Sequence, residues 1–296
     1  MHTEETRTMT PSAFDYHAPR TVADAIKLLG QLGPDAKLLA GGHSLLPMMK
    51  LRFAAPAHLV DLGRIPALRG IAQVGDAIHI GAMTTEHELL NSTLLVDKLP
   101  LLVEGTSLIA DPQVRYKGTI GGDISHGDPG NDHPALMLAL GASFVLTGPA
   151  GERVVPADGY FVGLYTTLAA SDEILTQIRI PIPAAGSGWC YSKLKRKTGD
   201  FATAAAAVML QLKGGRVAQA SIALTNVAPT AIKADAAAAS LAGKAIDEAS
   251  LAEAARQAMA VCDPAVDQRG DAAYKTAMCG EMVRRALRTA AQRARA

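Results

Sequence analysis

Three cysteines, Cys190, Cys262 and Cys279, are too few and too widely separated for a disulfide framework, and none of their spacings suits zinc or an iron–sulfur cluster. Any iron–sulfur centre that exchanges electrons with this protein is therefore expected on another chain. An excess of charge is also missing. The 29 Lys and Arg against 28 Asp and Glu leave a formal net charge of +1, which gives no reason to expect nucleic acid or a membrane surface as partner. Basic residues are scattered, apart from the run Lys193-Leu194-Lys195-Arg196-Lys197 and an Arg-rich C-terminus. No window reaches the unbroken apolar length of a membrane helix, and Met1 to Thr10 lacks the apolar core of a secretory signal. A cytoplasmic protein is expected. There is no G-x-G-x-x-G after a strand, no Walker sequence and no internal repeat.

What is present suffices for a large core: 49% of 296 residues are hydrophobic, enough for one large domain or two ordinary ones. Phe14 to His17, Lys37 to Ala40 and His58 to Leu62 read as short strands. Thr21 with Asp24 three residues on starts a helix that Gly33 ends. Ile71 to Ala82 alternates around Gly75-Asp76 as a hairpin, and Thr85 with Glu88 opens a helical stretch to about Ala110. From Gly118 to Asp132 there is little periodicity, then Pro134 sits in the first turn of a helix through Leu140. Ala142 to Thr147 pairs with Arg153 to Pro156, and Glu173 to Ile180 is a strand stopped by Pro181. The segment Pro181 to Gly188, with two prolines and two glycines, is the best linker in the chain. Beyond it come strands around Tyr191 to Lys193, Val208 to Leu212 and Val217 to Asn226, the last two joined through Gly214-Gly215. Two or three alanine-rich helices follow. An α+β domain of about 180 residues and then a smaller one of sheet plus helices are expected.

Two glycine pairs carry the candidate chemistry. In Ala40-Gly41-Gly42-His43-Ser44-Leu45, glycines after a buried strand let backbone N–H groups converge on one concavity, a nest that suits a phosphate. Ser44 adds a hydroxyl, and a following helix adds the positive end of its dipole. Alone, such a pair reads as a tight turn. Thr119-Ile120-Gly121-Gly122-Asp123 repeats the pattern, and two such loops are what a dinucleotide with two phosphates could use. Gly42-His43-Ser44 is not a nucleophile elbow, because Leu46 stands where the last glycine of G-x-S-x-G belongs. The run His126-Gly127-Asp128-Pro129-Gly130-Asn131-Asp132-His133 has two His and two Asp, but its spacing fits no standard metal loop and its glycine and proline describe a shaped loop.

Taken together, these segments resemble the FAD-binding subunit of the molybdenum hydroxylases, the xanthine dehydrogenase family, and most of all its aerobic carbon monoxide-oxidising branch. The likeness runs from Phe14 almost to the C-terminus. It is most specific in Ala40 to Lys50, Ile109 to Arg115, Thr119 to Asp123, Gly127 to Asp132 and Lys193 to Lys197. The resemblance implies a two-lobed FAD-binding domain of the vanillyl-alcohol-oxidase/PCMH type over residues 9–184, then a small α/β C-terminal domain over 189–292. It implies that Ala40, Gly41, Gly42, His43, Ser44, Leu45, Thr119, Ile120, Gly121, Gly122 and Asp123 clasp the FAD pyrophosphate. Ile109 and Ala110 would form a wall, Asp132 would hold the sugar side, Leu175 would offer a backbone contact near the ring, and Lys193 would stand at the pyrimidine edge, where a cation stabilises reduced flavin. Without the resemblance, Lys193 reads as a solvated lysine and Asp132 as a helix cap ahead of Pro134. Two positions depart from the pattern. Asp123 stands where asparagine is common, and a carboxylate near pyrophosphate needs a compensating donor. Phe201 stands where tyrosine is common, which leaves an aromatic face for the flavin without the hydroxyl.

No catalytic side chain and no metal ligand are expected on this chain. The implied partners are an iron–sulfur small subunit with 2Fe–2S clusters and a molybdenum-containing large subunit, in a dimer of heterotrimers that passes electrons to an acceptor such as quinone. The implied place is the cytoplasm, peripheral to the inner face of the membrane. Relatives of this pattern also serve purines and N-heteroaromatics. Gly41-Gly42-His43 additionally looks like the G-G-H of berberine-bridge-type oxidases, in which the histidine bonds covalently to the flavin.

Overall fold

The computed structural model describes residues 10–294; Met1 to Met9, with the expected domain boundary at residue 9, lie outside them. The first lobe is a three-stranded parallel sheet, with His58–Asp61 between Asp15–His17 and Ala36–Leu39. Helix Val22–Leu32 makes the crossover. Thr21 caps it by accepting from Asp24 N–H at 3.1 Å, and Gly33, at φ 67°, ends it. The reciprocal half of a capping box is absent, because Asp24 takes the Thr21 hydroxyl instead. A full box does form at Thr85 and Glu88.

The second lobe is a five-stranded antiparallel sheet. Its order is Ile71–Val74, Ala77–Gly81, Ile174–Pro181, Ser143–Gly148 and Gly151–Pro156. Short helices between residues 86 and 140 pack against it. The last of these, Asp132–Leu140, is buried at every position, as befits a helix that is apolar from Pro134 onward and lies in a core. Its other side meets the C-terminal part, a four-stranded antiparallel sheet ordered Gly188–Leu194, Ala204–Lys213, Arg216–Thr225 and Ile232–Lys233. Helices Asp235–Ser240, Glu248–Ala260 and Ala272–Arg293 complete it.

The strand Ala204–Lys213 begins earlier than the sequence suggests, taking in an alanine run of high helix propensity. Burial on both faces overrides that propensity. Ala205 and Ala207 join the core around helix Asp132–Leu140, while Ala204, Ala206, Val208 and Leu210 join the core of the C-terminal helices. Small side chains at alternate positions let the buried helix come close. At the turn between the second and third strands, Gly214 and Gly215 both have positive φ, 57° and 71°, as a two-residue hairpin requires. Among the described helices none is long and apolar enough to cross a membrane.

The C-terminal helix is seated on the linker side of this sheet. A side chain at Gly188 would drive into the backbone of Ala290 and Ala294. Gly188→Ala is expected to lower unfolding free energy by about 1–3 kcal/mol, the range for overpacking a close contact, measured by urea denaturation.

Candidate functional site

The edge strand Ala36–Leu39 runs into a turn ahead of the short helix Leu45–Lys50. Gly42 takes φ 81° there, a conformation open to glycine. Gly41 lies so close to the backbone of Lys117 and Gly118 that a Cβ would collide with both. Among the described residues none accepts a hydrogen bond from the N–H groups of Gly41 to Leu45; the first to find one is Leu46, on the Gly42 carbonyl at 3.0 Å. Ser44 makes no capping bond with its hydroxyl, and His43 is exposed. Successive free N–H groups on a half-buried turn are an anion nest.

The second glycine pair differs from the first. Gly121 and Gly122 lie inside the first turn of helix Ile120–His126, within a passage whose sequence shows little periodicity. Their N–H groups have acceptors already: Ile120 donates to Thr84 O at 3.1 Å and Gly121 to Ala82 O at 2.9 Å. Gly122 donates to Thr119 Oγ1 at 3.2 Å and Asp123 to Thr119 O at 3.0 Å. The glycines are needed for close approach. A Cβ on Gly121 would stand 2.5 Å from that of Ala82, and one on Gly122 would stand 3.2 Å from that of Ala40. The two segments are thus neighbours, one supplying free donors and the other the surface it rests on.

Across the seam with the C-terminal sheet, Asp132 and Lys193 are a single unit. Asp132 is the first helical residue, after Asn131 at the cap position, and it does not act as a cap. Lys193 Nζ donates to Asp132 Oδ2 at 2.6 Å and the Tyr191 hydroxyl to Oδ1 at 2.5 Å. The side chains of Lys193 and Asp132 are 1% and 5% exposed, so Lys193 is no solvated surface lysine. Burial pushes the Asp132 carboxyl up, with Lys193 and Tyr191 opposing the rise. Burial and the Asp132 charge push the Tyr191 hydroxyl well above its ordinary value. Lys193 and Lys195 both donate to Leu108 O, at 3.3 and 3.2 Å. Beside it are Ile109, whose carbonyl accepts from Arg115 at 2.6 Å, and Ala110, held at φ 41°.

Leu175 is buried at a bulge in its strand, and the next carbonyl, of Thr176, accepts from Ala82 N–H at 3.0 Å. Ala82 therefore links that strand to Gly121. Phe201 is 47% exposed, stacked under the Arg269 guanidinium at 5.5 Å and next to Gly130. The His126 to His133 run does not converge. His126 lies tilted against the Tyr165 ring, Asp128 accepts from Gly130 N–H, Asp132 holds Lys193, and His133 turns to Asp123.

Sequence reasoning missed Tyr191, which shares a strand face with Lys193 two residues on, and missed Glu86 and the pairing of His133 with Asp123. One atom each of Glu86, Asp123 and His133 lies within 4.8 Å of the others. Glu86, the first residue of its helix, is 3% exposed, and its Oε2 has no partner among the described residues. Burial raises its carboxyl to about 7, Asp123 adding and His133 opposing.

Two outcomes are expected. Lys193→Met, which strands a buried carboxylate, costs about 3–5 kcal/mol of stability, and Asp132→Leu in the same chain recovers part of it; denaturant titration of single and double variants checks this. The raised Glu86 carboxyl contributes stability that is full below its unfolded value near 4.5 and lost as pH rises through about 7. Glu86→Gln should therefore gain stability relative to the unaltered chain as pH rises across that window. An unchanged difference between acidic and mildly alkaline urea titrations would contradict this.

A family model described as the FAD binding domain in molybdopterin dehydrogenase matches residues 12–183, and one described as the CO dehydrogenase flavoprotein C-terminal domain matches 189–290. The carbon monoxide dehydrogenase medium chain of Hydrogenophaga pseudoflava is 59% identical over 282 residues, 95% of this chain and 98% of that one. The medium chain from Afipia carboxidovorans is 54% identical over 287 residues, 97% of this chain and 100% of that one. In structure, a chain of the Hydrogenophaga pseudoflava enzyme, solved in a form lacking the Mo-pyranopterin moiety of its cofactor, superposes with a TM-score of 0.95 at 61% identity, covering 96% of this chain and 99% of that one. With both halves matched, and relatives of this identity spanning almost its whole length, the chain belongs to the FAD-binding medium subunits of the molybdenum hydroxylases.

Proposed function

We propose that this chain is the FAD-carrying medium subunit of an aerobic carbon monoxide dehydrogenase, with its FAD-binding domain over residues 9–184 and its C-terminal domain over 189–292. The observation that carries the reading is the Gly41 to Leu45 nest, resting on the Gly121-Gly122 turn beside the Asp132–Lys193 seam. The residues present fit FAD. Free N–H groups and the Ser44 hydroxyl suit a pyrophosphate, with Ala40, His43 and the Thr119 to Asp123 turn around it. Ile109 and Ala110 form a wall, and the backbone at the Leu175 bulge and the ring of Phe201 offer contacts to an isoalloxazine. Lys193 has three N–H donors, of which Asp132 and Leu108 take two. The third remains for a carbonyl at the pyrimidine edge, and Asp132 fixes the direction in which the ammonium points.

FAD, when bound, supplies the redox chemistry, collecting electrons from 2Fe–2S clusters and handing them to an acceptor such as quinone. The chain's own part is to hold, orient and tune it. The identity of 54–59% to carbon monoxide dehydrogenase medium chains favours that branch over purine and N-heteroaromatic hydroxylases. We further propose an iron–sulfur small subunit and a molybdenum large subunit as partners in a dimer of heterotrimers, lying in the cytoplasm and peripheral to the inner face of the membrane.

The chain purified with its co-expressed partners should carry one FAD per copy, released to the supernatant by acid. Flavin kept in the acid pellet would instead favour a covalent link at His43 and a stand-alone oxidase. Gly42→Ala, which strains a φ of 81°, should weaken FAD binding roughly tenfold or more, read as the fraction of complexes with flavin absorbance.

A further inference from the structure

The Glu86–Asp123–His133 cluster stands directly behind the nest. Gly41 lies against Gly118, and Gly118 lies against the Glu86 carboxyl. The protonation of His133 follows from its partners. The Thr106 hydroxyl has one proton, which it donates to Leu102 O at 2.8 Å. Its 3.2 Å contact with His133 Nε2 then needs the proton on Nε2. On the other side of the ring, Nδ1 is 2.9 Å from Asp123 Oδ2. An ionised carboxylate only accepts, so Nδ1 carries a proton as well, and two donors make an imidazolium. Its side chain is fully buried. Asp123 is clamped a second time through its carbonyl, which accepts from Asn131 Nδ2 at 2.9 Å. Both clamps come from the entry to helix Asp132–Leu140.

We propose that His133 is a positioning residue for the cofactor site: as a standing imidazolium it neutralises Asp123 and holds the second glycine pair against the first, so that a pyrophosphate can approach a turn that carries a carboxylate. The inference rests on the FAD reading above and supplies the donor that Asp123 calls for. Charged groups on every side are consistent with it. Burial by itself lowers the imidazole, but the hydrogen bond and charge of Asp123, with Glu86 and Asp132 adding, raise it overall. Arg115 faces Glu86, and Lys193 is held by Asp132.

The test pairs a spectroscopic readout on the full chain with FAD affinity of the assembled complex. In nitrogen NMR of histidine-labelled protein, with His133→Asn used for assignment, both ring nitrogens of His133 should read as protonated at neutral and mildly alkaline pH. His133→Asn removes the cation and should weaken FAD binding roughly tenfold or more. His133→Asn with Asp123→Asn removes the stranded charge too and should recover most of that loss, which a purely structural defect would not. A single-proton tautomer, or a double variant binding no better than His133→Asn, overturns the proposal. If Gly42→Ala loses FAD while His133→Asn keeps it, the role of His133 falls and the pyrophosphate placement stands. If neither variant weakens FAD, the placement itself falls and the proposal with it.

Discussion

Asp132 receives an ammonium on one oxygen and a phenol on the other, both from the strand Gly188–Leu194, deep in the seam between the two halves of the molecule. A pair buried this far gives little net stability, since desolvation offsets attraction, but loss of either member leaves an uncompensated charge. Its contribution is therefore one of geometry. It fixes the sheet of the C-terminal part against a helix that follows directly on the second glycine-pair segment and its loop. Two further tethers keep the same alignment. Glu104 accepts from Tyr191 N–H at 2.7 Å and from Arg293, whose guanidinium also reaches Trp189 O at 2.9 Å. Asn226 N–H donates to Pro129 O at 2.8 Å. Alanines facing helix Asp132–Leu140 fill the remainder of the seam, so polar tethers set its register and small side chains set its distance.

The same economy governs the two glycine pairs. Gly41 on Gly118 and Gly121 on Ala82 are contacts that no larger residue could make without a shift, and Gly122 on Ala40 is a tight one. They bring three chain segments to one small concavity while leaving the N–H groups of Gly41 to Leu45 without acceptors among the described residues. The acids behind it are balanced in place. His133 meets Asp123, Lys193 meets Asp132, and Glu86 is pushed toward its neutral form by burial. The concavity thus has few net negative charges near it.

Much of this was legible in the sequence because it rests on local rules. Thr21, Gly33, Thr85 and the Gly214-Gly215 turn mark element ends by their own chemistry, and the linker after Pro181 marks the change of character. The free donors of the first glycine loop follow from the loop itself. What escaped depends on long-range partners. The helix over Ile120–His126 is hidden by its glycines, which have low helix propensity. Nothing near Lys193 in sequence announces Asp132, 61 residues away, and nothing near Asp123 announces Glu86. The alanine strand required two buried faces that only the assembled fold provides. The short strands Phe161–Gly163 and Thr166–Thr167 have no periodicity long enough to read.

A flavin bound between the glycine loops and the Asp132–Lys193 seam, as proposed, would be the electron outlet of a carbon monoxide-oxidising complex. Anaerobic mixing of the assembled complex with carbon monoxide, followed in the flavin absorption band, tests it most directly. The flavin band should bleach after the iron–sulfur absorbance and return when a quinone is added. Reduction of the clusters with the flavin band unmoved would contradict it.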